Sequence, residues 1–84
     1  MAKKTWIAHV KVFLKDVVLD PQGKAVLGAL QSLGFEEVQQ VRVGRYIRLV
    51  CAGKTKVAVQ KQVESACHKL LANPVIEQYT VHVE

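Results

Sequence analysis

LDPQGKAVLGALQSLGF, residues 19–35, reads as a helix with both ends marked. Asp20 can accept N–H bonds as the N-cap, and Pro21 suits the first helical position, where its missing N–H is not needed. Gly34 fits the left-handed position after the last turn, with Phe35 folding back on the helix. At about 100° per residue, Ala25, Val26, Ala29, Leu30 and Leu33 form one apolar stripe, and Lys24, Gln31 and Ser32 lie away from its centre. Two residues run against propensity: Gly23 and Gly28 each weaken a helix by about 1 kcal/mol relative to Ala.

On the N-terminal side, TWIAHVKVFL (residues 5–14) alternates. Trp6, Ala8, Val10, Val12 and Leu14 share one mostly apolar face, and Thr5, Ile7, His9, Lys11 and Phe13 share a mixed one, the pattern of a half-buried strand. On the C-terminal side, VQQVRV (38–43) and RYIRLVC (45–51) read as two strands divided by Gly44, where a tight hairpin is natural because glycine accepts positive φ. Gly53 then breaks the chain, and Thr55 caps a helix that runs to Leu71. Its stripe is Val59, Val63, Ala66, Cys67, Leu70 and Leu71, while Lys61, Ser65, His68 and Lys69 face water. Asn73-Pro74 ends it, with Asn in a left-handed cap and Pro unable to continue. YTVHV (79–83) alternates again.

The resulting order, β-α-β-β-α-β, predicts an α+β two-layer sandwich. Both helices are apolar on one side only, so both should cover the same face of a four-stranded antiparallel sheet, the split βαβ or ferredoxin-like plan. The other sheet face carries Ile7, Phe13 and Tyr46, a mixed apolar surface that suggests a partner.

Size and charge narrow the functional classes. The 84 residues form one domain, 1–84, small enough to bury only about 60–65% of its unfolded surface, so self-association would help it. The net charge of +5 is scattered, with only Arg42, Arg45 and Arg48 crowded together, which argues against nucleic-acid binding. No apolar run approaches the roughly 20 residues of a membrane span, and no apolar h-region follows the basic start MAKKTW; a cytoplasmic chain with no membrane partner is expected. Cys51 and Cys67 lack metal-ligand spacing and read as small buried hydrophobes in a reducing compartment.

No catalytic constellation is present. The glycines do not make a phosphate loop, there is no GxSxG, and His9, His68 and His82 lie on separate elements without an Asp or Cys nearby in sequence to orient them. Two stretches remain. Arg42-Val43-Gly44-Arg45-Tyr46 sets two guanidiniums beside an aromatic ring, suited to a phosphate or to another protein's carboxylate, or simply solvated. Asn73-Pro74-Val75-Ile76-Glu77-Gln78-Tyr79 places Val75 and Ile76 in a connection, where they either plug the end of the core or meet a partner.

LDPQGKAVLGAL, VRVGRY and LLANPVIEQY, in this order and at this spacing, resemble the PurS family, the small subunits of the multi-chain phosphoribosylformylglycinamidine synthase; the likeness covers essentially the whole chain. The resemblance implies a non-catalytic subunit that associates with itself as a dimer or dimer of dimers. It would bridge a glutaminase, PurQ, and a synthetase, PurL, and assist ammonia transfer between them in purine biosynthesis. ATP and magnesium would belong to the large subunit, and this chain would bind no cofactor or metal. The family pattern carries over to Asp20, Pro21 and Gly23; to Arg42, Gly44 and Tyr46; and to Asn73, Val75, Ile76, Glu77 and Tyr79. Arg45 stands where Lys is common, and Arg48 where an acidic residue is common. On this reading Pro21, Gly23 and Gly28 keep the helix bare so that another chain's backbone can approach. The alternative functions are a small-ligand module like the amino-acid-sensing domains that share this element order, and an RNA-binding sheet using Tyr46 and Phe13.

Overall fold

A computed structural model describes residues 3–84; Met1 and Ala2 of the basic start lie outside the described residues. The observed order is β1 (Lys4–Leu14), α1 (Pro21–Ser32), β2 (Gly44–Gly53), α2 (Lys56–Ala66) and β3 (Glu77–Val83). β1 lies in the middle of an antiparallel sheet ordered β2-β1-β3, with Val10 opposite Ile47 on one side and Val81 on the other.

The alternation of β1 decides the core. Ala8, Val10 and Val12 are at most 1% exposed and meet Val59, Val63 and Cys67 of the second helical segment, together with Val83 and Ala72. Trp6 closes one end, donating its indole N–H to Gly53 O at 3.0 Å. Thr55 caps α2 as expected, accepting from Ala58 N at 3.1 Å. The helix then widens to a π-helical turn at Cys67–Leu71, closed by Ala72 N to Cys67 O at 2.9 Å. That wider turn resets the helical phase, so Leu70 leaves the apolar stripe and is 82% exposed. Asn73 is not left-handed, since Gly34 alone among the described residues has positive φ. It works instead through its side chain, whose Oδ1 accepts from Val75 N at 3.1 Å.

The four-stranded expectation is corrected to three strands, and the shared helical layer to one helix. Residues 38–43 form no strand, and Gly44 makes no hairpin. Gly44 is the first residue of β2, paired with Phe13. Without a reversal at Gly44, residues 38–43 run straight into β2 and cannot lie beside it. They return instead along α1: Val43 N donates to Asp20 Oδ2, and Gln31 Nε2 reaches Val38 O. Helix and return segment together make an arm that stands off the sheet, while α2 alone packs on it. The arm stretches the chain to 57 × 26 × 14 Å with a radius of gyration of 16.8 Å, against about 12 Å for a compact domain of this length.

Candidate partner-binding surfaces

The root of the arm is built from Asp20. The residue is 5% exposed, and its carboxylate holds two N–H groups, Gly23 N on Oδ1 at 2.9 Å and Val43 N on Oδ2 at 2.8 Å. These two bonds, the Val43 one foremost, with the Arg42 guanidinium nearby, pull the Asp20 carboxyl below its usual value. Arg42 Nη2 donates to Lys15 O at 2.9 Å and Val18 O at 3.0 Å, tying the return segment to the loop before α1. Gly23 is bare for a reason inside the chain: a Cβ there would lie 2.2 Å from Val41 O. The backbone that approaches it is its own. Gly28 is different, since a Cβ there would meet nothing within 4 Å.

A second group shapes the connection into β3. Arg45 Nη1 donates to Glu77 Oε2 at 2.9 Å, and Arg45 Nη2 to Leu71 O at 2.8 Å. Glu77 Oε1 also accepts from Asn73 N at 2.7 Å. That bond first, and the Arg45 guanidinium second, hold the Glu77 carboxyl low. Gly44 permits the crossing, because a Cβ would lie 2.6 Å from Val12 O. Both groups meet at one shallow cleft of about 230 Å³ lined by Asp20, Gln22, Val43, Gly44, Arg45 and Glu77. Arg42 and Arg45 therefore each have partners within the chain. Val75 and Ile76 do not plug the core; they are 77% and 39% exposed.

Tyr46 belongs to a third group, on the sheet face opposite α2. Its hydroxyl hydrogen-bonds His9 Nδ1, and His9 Nε2 bonds Glu84 Oε1. The His9 and Tyr46 rings lie within 10° of parallel, with centroids 5.8 Å apart, and His82 lies 6.2 Å from His9 on the other flanking strand. The contacts with His9 draw the Glu84 carboxyl below its ordinary value. Sequence reasoning left His9 and His82 on separate elements and did not single out Glu84. Their partners are 37 and 75 residues away, so only strand register reveals the cluster.

The stripe of α1 is a free apolar surface. Val26, Leu33 and Phe35 are 39%, 75% and 57% exposed, and Leu19 beside the helix is 61% exposed. Leu27, absent from the predicted stripe, lines the inner cleft with Leu19 and Val41. Among the described residues no group of three His, Cys, Asp or Glu side chains is placed to hold a metal, and no helix is long and apolar enough to cross a membrane.

Comparison with known proteins accounts for this layout. Residues 7–84 match the family profile described as PurS: Phosphoribosylformylglycinamidine (FGAM) synthase. The phosphoribosylformylglycinamidine synthase subunit PurS of Bacillus subtilis is 49% identical over 75 residues, 89% of this chain and 88% of that protein. The crystal structure of Methanocaldococcus jannaschii PurS superposes with a TM-score of 0.86 at 39% identity, over 94% of this chain and 95% of that one. A chain in the structure of PurLQS from Thermotoga maritima superposes with a TM-score of 0.89 at 28% identity, over 96% of this chain and 99% of that one. A match over nearly every described residue, displaced arm included, means that the chain belongs to the PurS family of FGAM synthase subunits.

Proposed function

We propose that this chain acts as the non-catalytic connector of FGAM synthase, holding a PurQ glutaminase and a PurL synthetase so that ammonia freed from glutamine reaches the synthetase. There, ATP and the ammonia convert formylglycinamide ribonucleotide to its amidine. ATP and magnesium are handled by the large subunit, and this chain carries neither. The observation that carries the reading is the superposition on a chain of PurLQS at a TM-score of 0.89. The chain itself supports a contact role: its polar clusters are satisfied within the chain, and its free surfaces are an apolar arm and an uncovered sheet face. The cytoplasm is the compartment that fits this work.

The connector also pairs with a second copy of itself. The arm offers an apolar helix stripe and an extended segment, 38–43, whose backbone is only partly engaged within the chain. A second copy seated there supplies the second helix and the fourth strand that the sequence pattern anticipates, so the split βαβ layer is completed between chains.

The test uses PurL and PurQ from the same organism. Formation of the amidine is followed with glutamine or with ammonium as nitrogen source, with and without this chain. Glutamine-dependent formation should require the chain, and ammonium-dependent formation should not. Equal glutamine-dependent rates without the chain overturn the reading.

A further inference from the structure

We infer that the uncovered sheet face, centred on His9, Tyr46 and His82, is the docking surface for a carboxylate-bearing face of another protein. This rests on the connector reading above. Strand register puts Lys11, Tyr46, Arg48 and His82 on that face around His9, with Ile7 and Val50 at one end and Phe13 at the other. Tyr46 is 57% exposed and Val50 69%. An aromatic and basic centre between apolar ends matches the residue types that concentrate binding energy in protein interfaces.

Charge selects the occupant. Lys11 and Arg48 have no partner among the described ion pairs, and the face's one carboxylate, Glu84, is held by His9. A second copy laid on this face adds two cations and only one carboxylate, itself already held by His9, so the face is on balance repulsive to itself. An acidic surface of a different protein answers both cations. A nucleic acid fits poorly, because two fixed cations beside a carboxylate neutralise few phosphates, and Arg42 and Arg45 are tied up elsewhere in the chain.

The experiment measures binding of the full chain to the PurL–PurQ pair across a salt series, for the wild type and for the double variant Lys11→Glu/Arg48→Glu. Self-association is followed in parallel by sedimentation. The variant should bind roughly tenfold more weakly or worse and lose most of the salt dependence, with helical content and self-association unchanged. Unchanged affinity and salt slope overturn the inference. Loss of self-association in step with partner binding overturns it too, since the face then joins copies of this chain. A single-stranded RNA shifted at low salt by the wild type, and not by the variant, likewise overturns it in favour of nucleic acid. Failure of the wild type itself to bind the pair overturns the connector reading, a result distinct from any effect of the variant.

Discussion

Gly23 and Gly28 sit on one helix, cost it about the same in propensity, and have opposite surroundings. At Gly23 an added methyl lies 2.2 Å from Val41 O, and neither the carbonyl nor the capped first turn can yield without breaking the Asp20 bonds. Gly23→Ala should therefore part α1 from the return segment and speed amide exchange at Val43. Gly28→Ala meets open space and should stabilise the monomer by up to about 1 kcal/mol, read by denaturant unfolding at low concentration. Equal effects of the two substitutions contradict the assignment. The need for a bare Gly23 was legible in the sequence, as was Asp20 as a cap. What approaches Gly23 was not legible, because nothing in local sequence places Val41 against the first turn. The His9 cluster escaped for the same reason: its members meet only through register.

The arm as an element was half legible. Asp20, Pro21 and Gly34 mark the helix ends, and the final turn closes as the sequence predicts, with Gly34 N on Gln31 O at 3.1 Å and Phe35 N on Leu30 O at 3.0 Å. Residues 38–43 are extended without being paired, because Gly44 makes no hairpin. VQQVRV has the valine content of a strand, but the same residues suit an extended segment laid on a helix, and only the absence of a turn at Gly44 separates the two. The latch that holds this segment is a carboxylate, so acid should open it. The Asp20 carboxyl titrates lower in the folded chain than its ordinary value of 3.8, because two N–H groups and Arg42 favour the charged form. Its contribution is thus complete above about pH 4 and drains away as the pH falls through the folded value, once the unfolded chain takes up the proton first. Asp20→Asn leaves one acceptor oxygen for the two N–H groups. The variant should unfold more easily than wild type at pH 6, and the gap should close as the pH drops toward 3. A gap that is constant with pH, in paired denaturant titrations, rules out the latch.

For the whole molecule, the telling quantity is the mismatch between shape and size. A chain of 84 residues with a radius of gyration of 16.8 Å cannot bury its apolar stripe by itself, and small domains have little stability to spare. The sheet core of Val10, Val12, Val59 and Val63 closes without the arm, which leaves Val26, Leu33 and Phe35 facing outward. Burying a side chain of this kind is worth about 1.5–3 kcal/mol, so a second copy covering the stripe contributes stability comparable to a small domain's own. Association that binds only the folded chain makes the melting temperature depend on concentration. The melting temperature should climb by several degrees between about 1 and 100 μM, and scattering at the low end should approach the single-chain radius of gyration of 16.8 Å. Val26→Glu/Leu33→Glu should abolish the concentration dependence and leave the variant monomeric at the upper limit. It should also fold with the wild-type sheet, since neither residue belongs to the core cluster. If wild type melts at one temperature throughout that range and sediments as a monomer, the stripe has no second copy to receive, and the fourth strand must come from a different protein.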